Sequence, residues 1–450
     1  MGKVVINTTC GLLQGEETLD AMMFYGVRYA RAGRYESPVL VSSWEGVYDA
    51  TQYGPACPQY NAFYEENTDG PISQFYADRC KKKFSLSYSE DCLNLNLWIP
   101  KNVQAAPVLL YFHGGGYNTG CNTMAVVDGI EYNRRGIILV TANYRLNAFC
   151  SAVDKTHGGN YGLQDQIAAL QWVYQNIASF GGDPKHIVIA GESAGAFSVQ
   201  NLTYAPQAAD LFSGAIMMSG GGIMKGHFEI LENTLAKELW KKILQDLGEI
   251  SVGDLQELPA KEIFDVWRKE TSSNLKYAFA STPVIDGITI PDQPERLLTF
   301  KKINDVPSII GVLNRDMWPY DLYQNILNWG TEKARRDMQP VYGYYMDREI
   351  PSVGKGMYHG GDLWYGFGTL GNSTTPFEDV DRRISKEMID TFAAFIKTGQ
   401  PFCENGVIWE PVNEDQKQLL CFSEQGTYMC APPENDMLVF QKKNKPFPGM

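Results

Sequence analysis

His186-Ile187-Val188-Ile189-Ala190, running straight into Gly191-Glu192-Ser193-Ala194-Gly195, is the stretch on which the reading of the fold turns. The apolar, β-branched run reads as a buried strand, and a helix follows the second pentapeptide. A tight strand-to-helix turn brings backbone against backbone on both sides of its central residue. Glycines therefore flank that position, and the serine hydroxyl stands at the apex. The helix amino terminus directly behind it favours developing negative charge. Five letters alone are a weak match. The strand–turn–helix context makes Ser193 a candidate nucleophile rather than a serine that only caps a helix.

The same alternation continues outward. Val108–Phe112 reads as a buried strand ending in Gly114-Gly115-Gly116, and Ile137–Val140 as another leading into Asn143-Tyr144-Arg145. The spacing of Ile167, Leu170, Val173, Ile177 and Phe180 predicts a helix from about Asp165 to Phe180, stopped at Gly181-Gly182. Ala215–Met218 and Ser308–Val312 read as later strands, and Arg383–Thr398 as a helix ending at Gly399. Short apolar runs alternating with helical periodicities are the pattern of a mostly parallel sheet covered by helices. The stretch 223–275 is more charged and helical, and is expected to form a cap or side lobe.

The chain has 450 residues, 44% hydrophobic and 12% aromatic. Area scaling gives a folded surface of roughly 17,000 Å² against about 73,000 Å² unfolded, ample for a large core. With no repeat, low-complexity tract or linker, residues 1–450 read as one domain. A net charge of −13 argues against nucleic acid or an anionic membrane as partner. No apolar run is long enough to span a bilayer. The amino terminus shows no signal-peptide pattern, so the chain as written reads as cytoplasmic. Nine cysteines form no CxxC or Cys/His zinc pattern, and no HExxH or Walker loop occurs. No metal or organic cofactor is expected.

A serine nucleophile needs a base and an acid, which in this type of site follow it in that reverse chain order: Ser, acid, His. Of five histidines, only His227 and His359 come after Ser193. His227 has no acid-bearing strand end between it and the serine. His359 sits in a glycine-flanked loop, Met357-Tyr358-His359-Gly360-Gly361, and is the expected base. The acid should lie on the loop after a late strand, which favours Asp316 beyond Ser308–Val312, with Asp286 and Asp321 as rivals. Asp286 precedes Gly287 and suits a turn. An oxyanion hole needs backbone N–H groups aimed at one oxygen with no side chains in the way. His113-Gly114-Gly115-Gly116-Tyr117, with the N–H of Ala194, supplies them. His113 precedes the serine and suits a packing role.

On these residues the sequence resembles the type B carboxylesterases, the α/β-hydrolase family that includes cholinesterases and bacterial para-nitrobenzyl esterases. Glu90–Asn96 (EDCLNLN) resembles one family signature, and Gly181-Gly182-Asp183-Pro184 followed by Gly191–Gly195 resembles the other. Trp44–Gln59 (WEGVYDATQYGPACPQ), Asn143–Leu146, Gly162–Gln166 and Thr398-Gly399 also match, so the resemblance covers nearly the whole chain. It implies an α/β-hydrolase fold, Ser193 as nucleophile, Asp316 as acid and His359 as base, with Gly115, Gly116 and Ala194 forming the oxyanion hole. It further implies a serine esterase for small to medium, apolar or aromatic ester molecules, working as a monomer or homodimer. An amidase or lipase of the same fold, or a non-catalytic relative like the neuroligins, is the competing reading.

Departures from the family pattern matter. The acid loop usually carries Glu five residues after the strand-ending glycine, where Gly311–Asp316 carries Asp. Aligning on Asn-x-Asp would instead put Met317 at the acid position. Because Asp can orient an imidazole and Met cannot, the glycine register is preferred. The choline site of cholinesterases relies on a tryptophan between the cysteines matching Cys57 and Cys92. No Trp lies there, which argues against choline esters. Those cysteines match a disulfide of secreted relatives, yet in a cytoplasmic chain they are expected as thiols. Glu90, Arg145 and Asp165 match buried ion pairs and are read as structural. Arg28 stands where many relatives have Pro, with no sequence-based explanation.

Overall fold

The computed structural model describes residues 2–63, 86–223, 230–248, 250–277, 280–354 and 356–443. His227 therefore lies outside the described residues, as does part of the 223–275 stretch. Seven strands form a parallel block in the spatial order Ile138–Ala142, Ala106–Phe112, Gly182–Glu192, Gly214–Met218, Ser308–Leu313, Val341–Met346 and Leu419–Ser423. Antiparallel strands extend both edges. Gly2–Thr8, Gly11–Glu17, Ala21–Arg28 and Asn94–Pro100 lie on one side, and Gly426–Cys430 on the other.

The parallel strands are continuous apolar runs because both of their faces are covered. Successive side chains alternate between two cores. Val108, Leu110 and Phe112 face one, with Ile187 and Ile189. Leu109 and Tyr111 face the other, with Val188 and Ala190. Helix Tyr161–Asn176 fills the first core through Leu163, Ile167, Leu170 and Val173, and helix Asp379–Thr398 fills the second through Ile384, Met388, Phe392 and Phe395. Helices Asn233–Asp246 and Ala260–Ser273 build a third, separate cluster through Leu239, Trp240, Ile243, Ile263, Phe264 and Trp267, with Tyr35 and Tyr161. Among the described residues, no helix is long and apolar enough to cross a membrane.

Helix Tyr161–Asn176 begins one turn before the expected Asp165. The apolar periodicity starts only at Leu163, and Asp165 is not a solvated first-turn acid. It is wholly buried and takes the Nε and Nη2 of Arg145 at 2.8 and 2.7 Å, plus the Arg145 backbone N–H at 3.0 Å. Glu90 pairs with Arg34, Nε to Oε2 at 2.7 Å, so all three charged residues read as structural sit in ion pairs, the Arg145–Asp165 pair buried and Glu90 half-buried. Arg28 pairs with Asp91 at the surface.

The expectation of free thiols at Cys57 and Cys92 is overturned: the two are joined, with Cα atoms 5.1 Å apart across a separation of 35 residues. That expectation came from the compartment and not from geometry. The parallel bridge between Ala56 and Tyr88 brings the two segments side by side and leaves the sulfurs facing each other.

Asp165 depends on a single cation. Arg145→Ala, which strands a buried carboxylate, should destabilise the protein by about 3–5 kcal/mol in urea unfolding. The double change Arg145→Met with Asp165→Leu should recover most of that loss.

Candidate active site

Ser193 closes the strand Gly182–Glu192 and opens the helix Ala194–Tyr204. It holds φ +56°, ψ −124°, a conformation that costs a non-glycine residue on the order of 1–3 kcal/mol. Close backbone contact imposes it. A Cβ on Gly191 would lie 2.3 Å from the Gly195 carbonyl, and one on Gly195 would lie 2.1 Å from the Phe112 oxygen. The Ser193 N–H donates to the Met218 carbonyl at 2.9 Å, pinning the turn to the neighbouring strand.

The structure brings Ser193, His359 and Asp316 together. His359 Nε2 lies 2.8 Å from Ser193 Oγ, and His359 Nδ1 lies 2.5 Å from Asp316 Oδ1. Asp316 is buried, and its carboxylate also accepts the N–H groups of Met317 at 2.9 Å and Leu313 at 3.2 Å. Two loops far apart in sequence are spliced to make this geometry. The Arg315 N–H donates to the Met357 carbonyl at 3.1 Å, and the Met357 N–H to Asn314 Oδ1 at 2.8 Å. The rivals for the acid sit elsewhere. Asp286 Oδ1 accepts the N–H groups of Ile288, Thr289 and Ile290, closing a turn. Asp321 lies in the first turn of helix Pro319–Ala334. Met317 contributes its N–H to the acid and nothing acidic of its own.

The glycine run packs directly onto the serine turn. A Cβ on Gly114 would meet Glu192 Oε2 at 2.4 Å and Ser193 Cβ at 3.0 Å. Gly115 and Gly116 adopt φ +110° and +62°, in the region that favours glycine, and the Gly115 carbonyl accepts the N–H groups of Asn118 and Thr119 at 2.9 and 3.0 Å. The first N–H groups of the helix behind Ser193, Ala194 among them, have no intrahelical acceptor. The arrangement sets a hydroxyl beside an imidazole whose far nitrogen is held by a carboxylate, with backbone donors alongside.

Three participants escaped the sequence reading. Glu192 places Oε1 3.4 Å from His359 Nε2, and Tyr344 donates its hydroxyl to the buried Asp362, three residues along the chain from the histidine. Glu192 is the variable letter of the serine motif, and only the spacing His359 to Asp362 hinted at the second. His113 takes the packing place expected of it. It stacks on Tyr144 with centroids 4.5 Å apart, and its Nδ1–H is directed at the Gly114 carbonyl at 2.8 Å.

Burial pushes His113 down to about 4 from an unfolded value near 6.5. A depressed folded value gives stability that is fully present above pH 6.5 and is lost as pH falls toward 4, on the order of 3 kcal/mol in all. Urea midpoints measured against pH should fall through that window, and His113→Gln should remove that part of the slope.

The carboxylesterase family model matches residues 2–326 and 321–440. Para-nitrobenzyl esterase of Bacillus subtilis is 28% identical, with 99% of each chain covered. Gut esterase 1 of Caenorhabditis briggsae is 35% identical over 78% of this chain and 58% of its own, so the match spans little more than half of that relative. Among solved structures, a PNB esterase superposes with a TM-score of 0.81 at 25% identity, covering 97% of this chain and 99% of the other. A carboxylesterase of Geobacillus stearothermophilus superposes at 0.78, again at 25% identity, covering 97% and 99%. The mostly parallel sheet with its strand–serine–helix turn is the α/β-hydrolase fold, and the chain belongs to the carboxylesterase family.

Proposed function

We propose that this protein hydrolyses carboxylic esters through an acyl-enzyme formed on Ser193. One observation carries the reading: the unbroken hydrogen-bonded chain from Ser193 Oγ through His359 to Asp316, at 2.8 and 2.5 Å. Membership of the family and the esterase names of its relatives support the reaction class.

In the first half-reaction, Ser193 Oγ attacks the ester carbonyl carbon as His359 Nε2 takes the hydroxyl proton. Asp316 holds the imidazole in the tautomer with Nδ1–H and stabilises the imidazolium. The tetrahedral oxyanion is met by the N–H groups of Gly115, Gly116 and Ala194, preorganised so that no reorganisation is needed as charge develops. The carbon–oxygen bond to the alcohol breaks as His359 returns its proton to that oxygen. Water, deprotonated by the same histidine, then attacks the acyl-enzyme and frees the acid and Ser193. The substrates in this reading are small to medium esters with apolar or aromatic groups.

Turnover of p-nitrophenyl acetate and butyrate tests the reading. Ser193→Ala or His359→Ala should lower kcat on the order of 10⁶-fold, and Asp316→Asn about 10⁴-fold. A fluorophosphonate should add once to the wild type and not to Ser193→Ala by intact mass. Absence of both turnover and adduct would turn the reading toward a non-catalytic binding role. Matched p-nitroanilides run beside the esters separate esterase from amidase.

A further inference from the structure

The glycine run that meets the serine turn is one end of a loop, residues 113–120, and the other end is held by a side chain from a separate segment. Gln59 is buried, and its amide faces both main-chain groups of Gly120. Nε2 donates to the Gly120 carbonyl and Oε1 accepts the Gly120 N–H, each at 3.0 Å. The second Nε2 hydrogen goes to the Cys57 carbonyl at 3.1 Å. Both amide hydrogens are thus used, and turning the amide over would set donor against donor and acceptor against acceptor. A side chain here does what a neighbouring strand does in a sheet, exchanging a pair of hydrogen bonds with one residue.

Gly120 carries that hold to the start of the loop. It adopts φ +106°, and a Cβ on it would lie 2.4 Å from His113 Nδ1 and 2.5 Å from the Gly114 carbonyl oxygen. Between these touching ends the Gly115 carbonyl takes the N–H groups of Asn118 and Thr119, so the arc that carries the Gly115 and Gly116 N–H groups closes on itself. The segment that supplies Gln59 is anchored independently. Cys57 is bonded to Cys92, and the Pro55 carbonyl accepts Nδ2 of Asn94 at 2.9 Å and Nδ2 of Asn143 at 3.1 Å. Asn147 ties segment and loop once more, its Nδ2 donating to the Pro58 carbonyl at 2.8 Å and its N–H to the Tyr117 carbonyl at 2.7 Å.

We propose that Gln59 is a positioning residue for the oxyanion hole, clasping Gly120 so that the Gly115 and Gly116 N–H groups stay aimed at the carbonyl oxygen of the substrate. The inference rests on the reading of those glycines as oxyanion donors. Gln59 acts through the loop and not on the substrate. Without its amide, the buried N–H and carbonyl of Gly120 are left unmatched, and the loop shifts to satisfy them. Donors displaced by on the order of 1 Å cost about 10²-fold in rate. That loss falls on the transition state, where charge sits on the oxygen, and spares the binding of the neutral ester.

The experiment compares Gln59→Leu, close in volume but without the amide, with the wild type. It measures kcat and KM for p-nitrophenyl butyrate per site titrated to completion with a fluorophosphonate. A trifluoromethyl ketone gives a second readout. Ser193 Oγ bonds to its carbonyl carbon, the π pair moves onto the oxygen and the hydroxyl proton goes to His359, so its inhibition constant reports the hole without turnover. In Gln59→Leu, kcat per site should fall about 10²-fold with KM changed less than about threefold, and the ketone inhibition constant should rise in step. A purely structural role would lower the titrated fraction and the urea midpoint while kcat per site and ketone inhibition stay at wild-type values, and that result overturns the proposal. Gln59→Glu keeps an acceptor for the Gly120 N–H and loses the donor to its carbonyl, so it should show a loss in the same direction. Should Gln59→Leu fail to fold, Gln59→Glu decides alone, and an unchanged kcat per site overturns the proposal. A wild type that neither turns over ester nor takes the ketone overturns the esterase reading and this inference with it. A wild type that does both, matched by Gln59→Leu, overturns this inference alone.

Discussion

The contact between backbone and backbone at Gly191, Gly195 and Phe112 is the constraint from which the rest of the site follows. It forces the chain to leave the strand sharply, and Ser193 accepts an unfavourable φ as the result. A single residue cannot hold such a conformation by itself. Parallel pairing of Gly191 with Phe112 on one side and with Met217 on the other fixes both walls of the turn. The Met218 carbonyl then takes the Ser193 N–H. The seven parallel strands are in this sense the support for one hydroxyl, and the glycine run after Phe112 lies against that hydroxyl because its strand is the neighbour.

The histidine and its acid are positioned in a different way. Neither lies on a strand. Each sits on a loop beyond one, and the loops are tied by main-chain and asparagine hydrogen bonds between Asn314-Arg315 and Met357. These bonds fix the spacing between the acid and the imidazole. The buried charge elsewhere has another character. Arg145 and Asp165 fasten the start of a helix to the loop after a neighbouring strand, and their worth lies in specifying that arrangement rather than in chemistry.

Most of this was legible in the chain because the signals were local. A strand, a turn and a helix are consecutive in sequence, so the serine turn could be read outright, and the three glycines likewise. The order of acid and base along the chain, with only two histidines after Ser193, narrowed the choice to His359, and a spacing from Gly311 pointed to Asp316. What the sequence hid was contact across strands. Tyr344 and Asp362 meet only because the sheet sets strand Val341–Met346 beside Gly311, and no local pattern encodes that. The early start of the helix at Tyr161 was hidden too, since the apolar spacing that marks the helix begins only inside it. The pairing of Cys57 with Cys92 was likewise hidden, because the nearness of their Cα atoms, 5.1 Å, is a product of the fold.

That bond, with the bridge between Ala56 and Tyr88 beside it, turns the 35-residue separation into a closed ring whose two ends are fixed to the body. The two segments that carry Ala56 and Tyr88 are therefore held together twice, once by main-chain pairing and once by a covalent bond, so neither can leave the body of the protein without the other.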